Sequence, residues 1–203
     1  MKIFTIGFNK CGTTSLHKLY KASGLHSAHW RVSPDAYLAQ IMVCNWMGHR
    51  PLLTGLEAFD AYSDLFYLSG SNYLEANRLF DVLDRQYPDA LFILNTRNKT
   101  AWLQSRARHR GTTHPGTTHP GTESGSMLER KASCFGVPDE EVMSIWADQW
   151  DAHHAQVRLH FRGQQHRFVE FDIETDPIGK LAAFLDRRCK IQTSAWAQHN
   201  PTG

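Results

Sequence analysis

The sequence lacks any close pairing of cysteines. Cys11, Cys44, Cys134 and Cys189 are spread along the chain with no CxxC among them. That spacing argues against a zinc knuckle and a disulfide framework, and it suits a reducing compartment. An excess of one charge is lacking too: 22 Lys and Arg against 20 Asp and Glu leave +2 with histidines neutral. The basic residues are dispersed, so no nucleic-acid partner is expected, and what remains open is a local basic pocket for a small anion. No apolar run approaches the roughly 20 residues that span a bilayer. Met1-Lys2 leads straight into Ile3-Phe4-Thr5-Ile6, which is too short for the apolar segment of a signal peptide. The expectation is a cytoplasmic protein with no membrane partner.

What is present is an ordinary globular composition, 41% hydrophobic and 21% charged in 203 residues. A chain of that length buries roughly 70% of its unfolded surface, so one domain over 1–203 needs no covalent staple. Residues 3–6 read as a short buried strand, 7–12 as a tight loop and 13–23 as a helix that Gly24 ends. Residues 26–32 read as a second strand. Ser33-Pro34-Asp35 offers an N-cap, a proline and a first-turn acid, the start of a helix running to about Met47. Ala76, Leu79, Phe80, Leu83 and Tyr87 keep a helical spacing that Pro88 stops. A strand at 90–96 is followed by a helix from Lys99 or Thr100. A long helix opens at Asp139 with Val142, Trp146, Trp150, His153 and Val157 on one side. A strand at 167–171 and a helix at 178–185 close the pattern. Strands alternating with helices predict an α/β fold, a mainly parallel central sheet flanked by helices in three layers.

Residues 111–126, GTTHPGTTHPGTESGS, break the pattern with a tandem repeat. Gly, Thr, Pro and Ser build no core, so a flexible loop is expected, serving either as a substrate lid or as a tolerated insertion. His114 and His119 lack a third ligand nearby, which argues against a metal there.

The chemistry concentrates in Gly7-Phe8-Asn9-Lys10-Cys11-Gly12-Thr13-Thr14-Ser15, which joins a strand to a helix N-terminus. Unpaired N–H groups and the helix dipole there attract an anion, and Thr13, Thr14 and Ser15 add hydroxyl donors. An ordinary strand-to-helix turn needs neither a loop lysine nor three consecutive hydroxyl residues. A nucleotide kinase would use GxxxxGK[ST]. Gly7 and Gly12 have that spacing, but Thr13 stands where the lysine belongs and the loop lysine is Lys10. No strand ends in a convincing magnesium-holding aspartate; Asp172 is the nearest candidate.

This loop resembles the 5'-phosphosulfate loop of the sulfotransferases that use 3'-phosphoadenosine 5'-phosphosulfate (PAPS), in its bacterial, P-loop-like type. The second element of that family, a strand ending in Arg with Ser eight residues later, is matched by Phe92 to Arg97 and Ser105. Shorter fragments agree: Phe59 to Asp64, Tyr87 to Ala90, Trp150 to His154 and Leu181 to Leu185. Two departures stand out. Cys11 takes a place where Thr or a small residue is commoner, and the Gly/Lys-rich C-terminal segment of the eukaryotic enzymes is missing.

The resemblance implies sulfuryl transfer from PAPS to a hydroxyl or amine of a small-molecule or saccharide acceptor, with no metal required. It implies donor contacts from Asn9, Lys10, Cys11, Gly12, Thr13, Thr14, Ser15, Arg97 and Ser105. Lys10 would stabilise charge on the leaving oxygen. A general base must come from elsewhere, and His29, Glu57, Asp60 and Asp64 are the candidates. Asp64 leads, because the apolar residues of FDAYSDLF can raise a carboxylate pKa towards neutrality. The alternatives are a P-loop small-molecule kinase and a non-catalytic nucleotide-binding module.

Overall fold

The computed structural model describes residues 1–69, 72–109 and 126–197. In chain order its strands and helices are β1 (Ile3–Thr5), α1 (Thr13–Ala22), β2 (Ser27–His29), β3 (Arg31–Ser33), β4 (Ala36–Tyr37) and α2 (Leu38–Met47). There follow β5 (Ala61–Ser63), β6 (Phe66–Ser69), β7 (Asn72–Glu75), α3 (Phe80–Gln86), β8 (Leu91–Thr96) and α4 (Lys99–Ala107). The last are α5 (Met127–Phe135), α6 (Asp139–His160), β9 (Phe168–Asp172) and α7 (Ile178–Leu185). The central sheet has the order β4-β3-β2-β5-β1-β8-β9. The five strands from β2 to β9 are parallel, and β3 and β4 extend one edge antiparallel. Strands β6 and β7 form a separate hairpin. This is the expected α/β three-layer sandwich.

Alternation along the strands explains the layers. Ile3, Leu91 and Ile93 point to one face, where they meet Leu16, Leu19 and Tyr20 of α1 and Leu181 and Leu185 of α7. Phe4, Phe92 and Leu94 point to the other, against Leu38 and Met42 of α2, Leu83 of α3 and Val157 of α6. Burying each such side chain stabilises by roughly 1.5–3 kcal/mol. A third cluster, Phe8, Trp102, Val142, Trp146 and Trp150, holds α4, α5 and α6 beyond the carboxyl ends of the strands. Helix α6 carries Asp139, Glu140 and Glu141 in its first turn and Arg158 and His160 in its last, matching the helix dipole. Among the described residues no helix is long and apolar enough to cross a membrane.

Several boundaries differ from the sequence expectation. Residues 26–32 are two strands, because Trp30 takes a positive φ of 56° and reverses the chain between His29 and Arg31. Ser33-Pro34-Asp35 starts no helix. It turns the β3–β4 hairpin, where Ser33 pairs with Ala36, and α2 begins only at Leu38. Proline fits the second position of a turn as well as the first of a helix, so the same three residues served both signals. The amphipathic segment from Ala76 opens with a 3-10 turn, Ala76–Leu79, before α3. Strands β5, β6 and β7 and helix α5 were not anticipated. Of the repeat segment 111–126, all but Ser126 lies outside the described residues, as do His114 and His119.

Candidate active site

Residues 6–12 carry the chain from β1 over the carboxyl edge of the sheet into α1. Asn95 of β8 clamps this loop at both ends. Its Oδ1 accepts from the Gly7 amide at 2.8 Å and its Nδ2 donates to the Cys11 carbonyl at 2.7 Å. Gly7 is obligatory, since a Cβ there would overlap the carbonyl oxygen and side chain of Asn95. Trp102 Nε1 donates to the Asn9 carbonyl at 2.9 Å, and Arg97 Nη1 to the Lys10 carbonyl at 3.3 Å. Three successive carbonyls are thus bonded from β8 and α4. Among the described residues nothing accepts from the backbone amides of residues 10–14. Lys10 and Gly12 have φ of 65° and 71°, the left-handed steps by which successive amides turn towards one anion.

The loop opens into a cavity of about 240 Å³. Asn9, Lys10, Gly12, Thr13 and Thr14 line it from the loop and α1; Arg97 and Ser105 line it from the end of β8 and from α4. Arg97 is ion-paired with Glu174, which also accepts from the Asn98 amide at 3.0 Å. Asp172 accepts from the Glu174 amide at 2.8 Å, so the one candidate for a magnesium carboxylate holds a turn instead. On the other side, Asp64 and His29 line the cavity from the ends of β5 and β2. Asp64 has a φ of 55°, and its Oδ2 lies 3.8 Å from His29 Nε2.

Residues 2–192 match a family model described as a sulfotransferase domain. The chain belongs to that family. The comparison with curated proteins gives no match.

The charges lining the cavity are set by burial. Burial lifts the Asp64 carboxyl to a pKa of about 7, against the pull of Lys10 and Arg106. The same desolvation lowers His29 to about 4, so its ring is neutral at pH 7. That ring is held by Ser63 Oγ at 3.1 Å from Nδ1 and by Thr14 Oγ1 at 3.5 Å from Nε2, and it stacks on His17 at 5.0 Å. Lys10 is lowered by burial, with Asp64 opposing and Arg97 adding to the effect. Its Nζ lies 3.4 Å from Nδ1 of His109, at the end of α4. His109 is itself lowered to about 4, by burial first and then by Lys10 and Arg130. The neutral imidazole therefore accepts from the ammonium.

The fold brings most of the residues expected from sequence into one cavity and leaves four out. Asp60 stands before β5, at the opposite end from Asp64, and accepts from the His26 amide at 2.9 Å. Glu57 precedes it and is exposed. Cys11 and Ser15 are buried and do not line the cavity: the Cys11 side chain packs with Phe8 and Trp102. What Cys11 can offer an anion is its backbone N–H. Sequence reasoning missed His109, Arg130, Phe66, Leu68, Met127 and Trp30, all of which line the cavity. His109 lies two residues beyond the end of α4, where no helical spacing marks it in the sequence.

Proposed function

We propose that the protein is a PAPS-dependent enzyme that passes the sulfuryl group to a hydroxyl or amine of a small-molecule or saccharide acceptor and releases adenosine 3',5'-bisphosphate. The observation that carries this reading is the order of groups along the carboxyl edge of the sheet. β5, β1 and β8 are neighbours, and their ends supply Asp64, the Lys10 loop and Arg97 in that order. Asp64, Lys10 and Arg97 line one cavity, which supports reading them as base, 5'-phosphosulfate cradle and 3'-phosphate clamp. The four free cysteines suit a cytoplasmic setting.

In this reading the amides of residues 10–14 and the hydroxyls of Thr13 and Thr14 hold the 5'-phosphate. Arg97 and Ser105 hold the 3'-phosphate. Asp64, ionised above pH 7, removes the acceptor proton as the new O–S or N–S bond forms. The S–O bond to the 5'-phosphate breaks in line with it, and Lys10 stabilises the charge left on that oxygen. A base placed this way contributes roughly 10²–10⁴-fold, and the lysine about 10²-fold or more.

The test is discrimination of the 3'-phosphate. Calorimetry should show adenosine 3',5'-bisphosphate binding much more tightly than adenosine 5'-monophosphate, because charged donors built for a phosphate are left unpaired without it. Arg97→Ala should remove about 2–4 kcal/mol of that difference. Using the ratio of the two nucleotides cancels the separate effect of leaving Glu174 without its ion pair. A wild type indifferent to the 3'-phosphate overturns the assignment and favours a small-molecule kinase.

A further inference from the structure

The donor reading engages Lys10 and Arg97 but leaves a third cation of the cavity without a task. Arg130, on α5, lines the same cavity as Lys10 and His109. Its Nη2 donates to the Leu68 carbonyl of β6 at 3.0 Å, which fixes the guanidinium. Its Nε is buried with no hydrogen-bond partner among the described residues. Nor does an acidic side chain of those residues pair with it. The adjacent Glu129 is engaged in the capping box of α5, where its Oε2 accepts from the Ser126 amide at 2.7 Å. This half-buried guanidinium has no acidic partner among the described residues, and its planar fork matches a carboxylate or phosphate.

Part of the cavity lining is apolar. Phe66 and Leu68 of β6, Met127 of α5 and Trp30 beyond β2 line the cavity with it. They offer a ring-sized molecule an apolar wall rather than further polar donors. Asp64 and Lys10 line the same cavity, and the acceptor's nucleophile must reach them. An acceptor filling the space therefore needs a hydroxyl at one end, an apolar body, and an anionic group for Arg130.

We infer that Arg130 is the acceptor-recognition residue, and that the acceptor is a hydroxylated, ring-sized apolar molecule bearing an anionic group. This rests on the sulfotransferase reading above. The probes are 4-hydroxyphenylacetate and 4-hydroxyphenylpropionate, each beside its neutral amide, titrated by calorimetry into the protein saturated with adenosine 3',5'-bisphosphate. The wild type should bind the better acid at least 10-fold more tightly than its amide. In Arg130→Gln that ratio should fall to near one, while Arg130→Lys should keep part of it. A prior bisphosphate titration on each variant reports that the fold and the donor subsite survive. If Arg130→Gln does not fold, the wild-type and Arg130→Lys ratios decide alone. Equal binding of acid and amide by the wild type, binding of neither, or a ratio that survives in Arg130→Gln overturns the inference. If the wild type fails to bind the bisphosphate, the sulfotransferase reading falls first, and this inference with it.

Discussion

Replacing Asp64 with Asn should make the protein slower and, at alkaline pH, more stable. The carboxyl is held at a pKa of about 7 against an ordinary 3.8, and burial is the main cause. Between those two values the folded state binds a proton that the unfolded state has released, so wild-type stability falls as pH rises from about 4 to 7 and is then flat. At about 1.4 kcal/mol per pH unit the full effect is about 4 kcal/mol. The side chain is 17% exposed, so water reaches it and about 2–4 kcal/mol is the working expectation. His17, His29, His109 and His153 are lowered to about 4, and their effect has the opposite sign, since stability is lost as pH falls below their ordinary 6.5. The wild-type profile alone is thus a mixture. The difference between wild type and Asp64→Asn cancels the histidines and isolates the carboxyl.

Chemical denaturation of both proteins at half-unit steps from pH 4 to 9 measures that difference. Asp64→Asn should match the wild type near pH 4 and exceed it by the stated amount above pH 7. The kinetic arm uses the same group. Wild-type kcat/KM should rise about tenfold per pH unit below 7 and level off above it, because only the carboxylate accepts a proton. Asp64→Asn should lose that limb and about 10²–10⁴ in rate. A stability difference that does not change with pH would show that Asp64 titrates normally, and the base assignment would lose its physical ground.

The other expectations concern the loop. Lys10→Ala should lower kcat by roughly 10²-fold or more while the melting temperature stays close to wild type, since among the described residues the ammonium hydrogen-bonds only His109; near-normal turnover in the folded variant refutes the role. Asn95→Ala should reduce stability by about 2–4 kcal/mol, because the Gly7 amide and the Cys11 carbonyl both lose their partner in a buried place. It should also weaken bisphosphate binding, and a variant that melts lower but binds normally would separate the clamp from the anion site.

Legibility in the sequence followed the range of the forces involved. The loop and helix around Lys10, the strand ending at Arg97 and the helix carrying Ser105 are local structures with local signals, and each appeared where the residues placed it. The long α6 was legible because its apolar side and its terminal charges agree. Strand β5 was not: three residues, Ala-Tyr-Ser, have no period of their own and become a strand through pairing with β1 and β2. Helix α5 did carry a signal, the Ser126-to-Glu129 capping box, hidden by the repeat segment that runs up to it. The proposed base shows the limit most clearly. Asp60 and Asp64 have similar neighbours in sequence, and only the direction of β5 decides that one reaches the cavity while the other caps a turn beneath the sheet.

In the proposed reading the two phosphate subsites are also mechanically one. Alternate residues of a single chain segment, Asn95 and Arg97, hold the loop carbonyls of Cys11 and Lys10. Arg97 therefore acts twice, as a donor to the loop's backbone and as a lining group of the cavity. A 3'-phosphate drawn to the Arg97 guanidinium competes with Glu174 for it. The same guanidinium steadies the Lys10 carbonyl, and with it the left-handed turn that sets the amides of residues 10–14. In the proposed reading, binding at one end of the nucleotide is thus felt at the other through one hydrogen bond. A nucleotide without the 3'-phosphate leaves that bond to Glu174's arrangement alone, and the cradle for the reacting group is held less firmly. On that reading, discrimination of the donor and placement of the leaving group have a common structural origin at the end of β8.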